Sequence, residues 1–173
     1  MKNALKMAAQ FMALSARTAP KTVGKDYIEI KVIDDESELA KLGEQMAAYG
    51  EKHGKRNYDR DGSAIAGCGA VLLVAIKDAE TSGLNCGACG YDECSKLPKP
   101  KDGIEFAGPF CAWRLVDLGI AIGSAAKTAS MLNVDNRIMY RIGVVARKMN
   151  LIDGDVVLGI PLSATGKNIF FDR

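Results

Sequence analysis

The sequence predicts a single α+β domain, an α/β sandwich in which helices flank a sheet. Strand-like and helix-like segments alternate along the chain, which is typical of this class. Residues 69–76 form an apolar run without alternation, as expected for a central strand buried on both faces. Residues 111–132 form a long helix rich in small side chains, which lets another backbone approach closely. The 173 residues suit one domain with its own core, and we assign residues 1–173 to it.

The first third of the chain predicts a helix, a strand and a second helix. Residues 3–16 place apolar side chains at helical spacing, and residues 27–33 alternate apolar and polar side chains as a strand does. Asp35 and Glu38 form a capping box that opens a helix extending to about residue 49. The charged segment 50–63 is predicted to be a loop, either a solvated connection or a lid over a site.

The rest of the chain surrounds an insertion. Residues 80–111, rich in Gly, Pro and Lys, are predicted to form a loop inserted after the central strand. After the helix at 111–132 we predict a helix at 136–149 capped by Asn133 or Asp135, and a strand at 156–160 that ends at Pro161.

Composition and charge exclude several classes of protein. The net charge of +2 and the pI of about 8.2 are too mild to indicate nucleic-acid binding, and no basic stripe is interleaved with aromatic residues. No apolar run reaches the roughly 18 residues that a membrane span needs. His53, the single histidine, lies in a charged segment and is expected to be solvated rather than to act as a general base.

Four of the five cysteines are the strongest functional signal. Cys86, Cys89, Cys94 and Cys111 follow the pattern C-x2-C-x4-C-x16-C, whereas Cys68 stands apart. An odd number of cysteines, clustered in this way, is typical of thiols that serve a metal in a reducing cytoplasm rather than of a secreted disulfide scaffold. We expect Cys68 to be a buried free thiol.

Four thiolates are the usual ligands of a [4Fe–4S] cluster and also of a structural zinc ion. Cys86 and Cys89 each precede a glycine, which allows the chain to turn tightly around a metal centre. Cys111 begins a helix, whose N-terminal partial positive charge favours an anionic cluster. The residues favour the [4Fe–4S] cluster and leave zinc and simple disulfides as alternatives.

The segment 86–94, followed by Cys111, resembles the [4Fe–4S] domain of corrinoid iron–sulfur proteins and of membrane electron-transfer subunits related to ferredoxins. All four ligand positions match in spacing. The resemblance implies that these cysteines hold a [4Fe–4S] cluster and that the protein transfers electrons, with a redox protein as its partner.

The flanking segments resemble flavin nitroreductases. Residues 16–21 are similar to their alanine-proline-serine segment, residues 112–134 to their central dimer helix and its exit, and residues 157–161 to their closing glycine-tyrosine-proline strand. The arginine-arginine-serine segment that grips the flavin phosphate in those enzymes is not found in this sequence. The resemblance implies a nitroreductase-like mixed sheet, a homodimer and FMN-dependent oxidoreductase activity.

Three cations are candidates for holding the FMN phosphate: Arg17, Lys21 and Lys167. Lys21 stands where nitroreductases have serine, and the alternative interpretation of all three is that they are surface cations.

As a whole, the chain resembles the uncharacterised prokaryotic family of ferredoxin-domain-containing proteins, which combines these two pieces. Three hypotheses follow: a cytoplasmic [4Fe–4S] electron-transfer protein, an FMN-dependent oxidoreductase with an auxiliary cluster, and an interaction module built around structural zinc.

Overall fold

The computed structural model describes residues 1–171. Within them the helices are α1 (Lys2–Thr18), α2 (Glu36–His53), α3 (Tyr58–Ala66), α4 (Ala112–Met131) and α5 (Tyr140–Lys148). The strands are β1 (Ile28–Ile33), β2 (Ala70–Ile76), β3 (Lys101–Asp102), β4 (Ala107–Gly108), β5 (Asp135–Asn136) and β6 (Val156–Ser163). Short 3₁₀ turns form at Thr22–Gly24 and Cys94–Lys96.

The main sheet has four strands in the order β1-β2-β6-β5, and β3 and β4 form a separate two-stranded ribbon. This arrangement confirms the predicted α+β class. One detail differs, because each of the three pairings in the main sheet is antiparallel, whereas we expected mixed pairing. The alternation of helices and strands in the sequence does not determine whether neighbouring strands are parallel. Here two helices, α2 and α3, connect β1 to β2, and the two strands are antiparallel.

The sheet separates two hydrophobic cores. Strand β2 is buried along its whole length because alternate side chains enter opposite cores. Val71, Leu73 and Ala75 pack against the layer of α2, α3 and α5. Leu72 and Val74 pack against the layer of α1 and α4. The apolar run in the sequence therefore predicted the central strand correctly.

The segment 50–63 is not the loop that its charges and glycines predicted. Helix α2 continues to His53, and α3 begins at Tyr58. Gly62 lies inside α3 because α2 and α3 pack backbone to backbone: a Cβ on Gly62 would lie 2.4 Å from the carbonyl oxygen of Gly43. The glycine thus marks a close helix–helix contact rather than a chain break.

Two other boundaries were predicted wrongly. The predicted helix at 136–149, capped by Asn133 or Asp135, is shorter: α5 begins at Tyr140 with Met139 as its N-cap. Asp135 and Asn136 instead form β5 by pairing with the end of β6. Strand β6 continues through Pro161 to Ser163. The N–H of Gly159 points away from β2 and donates to the carbonyl of Met139. Because N–H directions repeat every second residue in a strand, the nitrogen of Pro161 points to the same side. It faces the gap between β5 and Met139, so the strand does not need a donor at this position.

Candidate metal centre

The four cysteines lie on the connection from β2 to α4. Asn85, Gly87 and Gly90 adopt left-handed backbone conformations, with φ of 47°, 74° and 86°. The N–H of Gly90 donates to the carbonyl of Gly87 at 2.9 Å and closes a turn over residues 87–90, which follows Cys86 and contains Cys89. Glycine favours such φ values because it has no Cβ, so the sequence folds here into the tight turn that a C-x2-C pair needs.

Cys111 is the buried end of the site. It directly precedes α4 and is 5% exposed. Its Sγ lies 3.5 Å from the Oγ of Ser82, at the start of the loop. Burial opposes ionisation of this thiol, but the Ser82 side chain and the backbone N–H groups of Ser82, Trp113 and Arg114 outweigh it, so the pKa of Cys111 lies below its ordinary value.

Cys86 is the exposed end of the site. The indole Nε1–H of Trp113 donates to its Sγ at 3.2 Å. The backbone N–H of Ala88 and this indole N–H lower the pKa of Cys86. Cys86 and Cys111 are close enough for their charges to interact. Both ends of the loop thus favour the thiolate, the form that binds metals.

Cys94 is tied to the start of the C-x2-C turn by reciprocal hydrogen bonds. The N–H of Asn85 donates to Cys94 Sγ at 3.4 Å, and the N–H of Cys94 donates to Asn85 Oδ1 at 2.8 Å. Cys89, between them, is half-buried. N–H donors directed at sulfur are typical of the surroundings of iron–sulfur clusters, so the donor chemistry of this loop fits such a group.

Within residues 1–171, no three His, Cys, Asp or Glu side chains form a group arranged around a single metal ion. A single zinc ion needs four donors at about 2.3 Å from one point. In a four-iron cluster each thiolate binds a different iron, so the thiols stand further apart. The two kinds of centre also differ in metal content, because a zinc site holds one metal ion and a [4Fe–4S] cluster holds four irons, so metal analysis separates them.

Sequence reasoning missed a buried cation beside the loop. Arg114 has no exposed surface and pairs with Asp117 at 3.0 Å. Its Nε–H donates to the carbonyl of Glu80 at 2.8 Å, and its Nη1 donates to the carbonyl of Thr22 at 3.0 Å. The guanidinium thus fastens the beginning of the cysteine loop to the first turn of α4. The only signal in the sequence is an arginine–aspartate pair at i, i+3 in the first half of this helix, which has no other charged residue before Lys127.

The returning arm of the loop is docked by a second unpredicted residue, Glu105. Its carboxylate accepts hydrogen bonds from Lys55, from Tyr58 at 3.0 Å and from Tyr49 at 3.4 Å. Burial opposes ionisation of Glu105, but these donors outweigh it and lower its pKa. Because Tyr49, Lys55 and Tyr58 belong to α2, α3 and the turn between them, the arm is held against that layer.

The cations predicted to hold a flavin phosphate have intramolecular partners. Arg17 donates to Asp26 at 2.8 Å, and the Lys21 ammonium lies 3.5 Å from the same carboxylate. Lys21 is nearly buried and also donates to the carbonyls of Ala16 and Arg17 at the end of α1. Lys167 lies in the segment after β6. Arg17 and Lys21 are thus brought together, with Asp26 between them.

Comparison with solved structures defines the class of fold. A nitroreductase with bound FMN from Desulfitobacterium hafniense DCB-2 aligns over 93% of this chain and 78% of its own, with a TM-score of 0.59 and 14% identity. A nitroreductase family protein from Clostridium novyi NT gives a TM-score of 0.59 at 14% identity, covering 95% of this chain and 78% of its own. The NADPH:FMN oxidoreductase from Vibrio harveyi gives a TM-score of 0.57 at 11% identity, and the alignment covers 94% of this chain and 60% of that enzyme. The chain therefore has a nitroreductase-like fold.

Sequence comparison gives the family. Residues 107–173 match the family described as "Uncharacterized protein containing a ferredoxin domain (DUF2148)". An uncharacterized protein from Archaeoglobus fulgidus is 49% identical over 170 residues, which cover 98% of this chain and 91% of the relative. The chain belongs to this family of ferredoxin-domain proteins. No helix within residues 1–171 has the length and apolar character to cross a membrane.

Proposed function

We propose that this protein is a cytoplasmic iron–sulfur protein in which Cys86, Cys89, Cys94 and Cys111 hold a [4Fe–4S] cluster that transfers electrons. The observation that carries the proposal is the set of hydrogen-bonding groups at the sulfurs of three cysteines: N–H donors at Cys86 and Cys94, and the Ser82 hydroxyl at Cys111. Membership of a family named for a ferredoxin domain supports it. When bound, such a cluster exchanges one electron at a time.

The buried and exposed ends of the site would have different roles in the proposed electron transfer. Cys111, buried between Ser82 and the first turn of α4, anchors the inner side of the cluster. Cys86 is exposed and lies beside Trp113 on the outer side. Because electron exchange between proteins requires close approach, a redox partner would dock at the Cys86 side.

Cysteine-to-serine substitutions test the ligand assignment. Cys86→Ser, Cys89→Ser, Cys94→Ser and Cys111→Ser are each expected to lower the iron bound per chain after anaerobic purification. Cys68→Ser is the matched control, because Cys68 lies in the core between α3 and β2, and it should keep the iron. Full iron loading in any two of the four ligand variants would contradict the assignment.

The fold favours a second candidate function, an FMN-dependent oxidoreductase with the cluster as an auxiliary centre. One solved structure of this fold contains bound FMN. A phosphate held by Arg17 and Lys21 would have to compete with Asp26 for both cations. Reconstitution with excess FMN, followed by gel filtration and release of flavin on denaturation, tests this function; no retained flavin would exclude it. Lys167 is the third proposed contact, and Lys167→Ala should then weaken FMN retention.

A structural zinc site on an interaction module is the remaining alternative for the four cysteines. It predicts one zinc ion per chain and no change of colour on reduction. Metal analysis separates it from both redox proposals.

We also propose that the protein is a homodimer that uses the outer side of the α1–α4 layer. Exposed apolar side chains lie there on both helices: Met7, Phe11, Leu14, Val116 and Ile120. The two helices pack together through the Ser15 and Thr128 hydroxyls, which lie 2.6 Å apart. Large apolar side chains exposed on neighbouring helices are a feature of interfaces between proteins when they form one patch, which is what we propose here.

A further inference from the structure

Trp113 links the two ends of the cysteine loop. It is the single tryptophan of the chain and lies in the first turn of α4, two residues after Cys111. Its indole Nε1–H donates to the Sγ of Cys86, which is 27 residues earlier in the chain, at 3.2 Å. One side chain therefore connects the exposed ligand position to the helix that carries the buried one.

The choice of acceptor is informative. The Trp113 side chain is partly exposed, with 39% of its surface accessible, and an indole N–H in such a place can donate to water instead. A neutral thiol is a weak acceptor, whereas a hydrogen bond to an ionised acceptor is roughly twice as strong as a neutral one. The contact is therefore best suited to a Cys86 sulfur that carries negative charge, as a cluster ligand does.

We propose that Trp113 sets the reduction potential of the site through its hydrogen bond to Cys86, an inference that rests on the proposed [4Fe–4S] cluster. Hydrogen bonds to the sulfurs are one of the factors that determine the potential of such clusters. An added electron increases the negative charge on the sulfurs, so the indole N–H stabilises the reduced state more than the oxidised state. Trp113 thus raises the potential and acts as a positioning residue that touches a ligand.

Trp113→Phe tests the proposal, because it keeps an aromatic ring and removes the donor. In an anaerobic titration with dithionite as the one-electron reductant, followed by electron paramagnetic resonance, the variant should have a more negative midpoint potential than the wild type. Leu115→Ala is the matched control, an exposed apolar change two residues further along α4, and should leave the potential unchanged. A Trp113→Phe protein with full iron content and an unchanged potential would overturn the proposal.

Because the chain has one tryptophan, fluorotryptophan incorporation changes this donor alone. Fluorination makes the indole N–H more acidic and a stronger donor, so the potential should move to less negative values. This labelled protein decides the question if Trp113→Phe does not retain iron; an unchanged potential would again overturn the proposal. Failure of the wild-type protein to bind iron would instead contradict the proposed function, so the two failures are distinguishable.

Discussion

At the scale of single residues, burial separates Cys68 from the cysteines of the loop. Cys68 is buried in the core that contains β2, and burial raises its pKa to about 12. Only the thiolate form of cysteine is reactive. At pH 8, about one in ten thousand molecules of a thiol with this pKa is ionised. Cys86 is exposed, and its pKa is lowered.

We therefore expect iodoacetamide to leave Cys68 unmodified in the folded, metal-free protein at pH 8, and to modify it in urea. Mass spectrometry of the digested protein measures this, with Cys86 as the internal comparison. Modification of Cys68 in the folded protein at the rate of Cys86 would contradict the assignment of Cys68 to the core.

Arg114 is the residue whose loss should cost the most stability near the site. Removing one partner of a buried ion pair leaves the other charge uncompensated, which costs about 3–5 kcal/mol. Arg114→Met leaves Asp117 buried with its Thr22 hydrogen bonds but without a cation. We expect urea denaturation to show a loss of that order in the free energy of unfolding.

The exposed pair of Lys25 and Glu80 provides the control for Arg114. Exposed ion pairs contribute about 0–1 kcal/mol, so Lys25→Met should change the stability little. Equal losses for Arg114→Met and Lys25→Met would contradict the buried network.

At the scale of elements, the arm that returns from the cysteine loop is held by Glu105. Glu105→Gln keeps the shape of the side chain but removes the charge that accepts from Lys55, Tyr58 and Tyr49. Hydrogen bonds to charged groups contribute about 1.5–3 kcal/mol, so a loss of this size is expected in the free energy of unfolding at pH 7. Glu44→Gln, an exposed change on α2, is the control.

The same substitution predicts a pH dependence. The pKa of Glu105 is lower in the folded protein than its ordinary value, so its carboxylate stabilises the fold above the ordinary pKa. This stabilisation is lost as the pH falls through the folded-state pKa. The difference in stability between wild type and Glu105→Gln should therefore shrink in acid; a difference that is constant with pH would contradict the role of the charge.

The sequence predicted elements whose signals are local and missed those that depend on contacts elsewhere in the fold. Asp35 caps α2 by accepting from the N–H of Glu38, as the capping box predicted. Helix α3 was missed because Gly62 and its charged neighbours look like a loop until α2 packs against them. The docking of Glu105 was not predictable, because its partners lie about 50 residues earlier in the chain.

The candidate site was predicted in the same uneven way. Spacing identified the four cysteines and placed Cys111 before a helix, as the structure has it. The hydrogen-bond partners of the sulfurs were not visible in the sequence, because Ser82 and Trp113 contact cysteines that are 29 and 27 residues away. The pair of Arg114 and Asp117 at i, i+3 is visible in the sequence, but this spacing is equally typical of an exposed ion pair and does not indicate burial.

At the scale of the whole molecule, the apolar surface of the α1–α4 layer predicts self-association. Ile120→Glu places a charge on the outer side of α4 and should shift the protein from dimer to monomer in analytical ultracentrifugation. Ile104→Glu is the matched control, because Ile104 is an exposed isoleucine on the returning arm. A wild-type protein that is monomeric at every concentration would contradict the proposed dimer.

Two layers of helices hold the cysteine loop between the exit of β2 and the start of α4, so the whole fold positions the four thiols. The measurement that tests the central proposal most directly is the metal content of anaerobically purified protein, together with electron paramagnetic resonance after reduction. The proposed [4Fe–4S] cluster predicts about four irons per chain and a signal that appears on reduction. A colourless protein with one zinc ion per chain would contradict it.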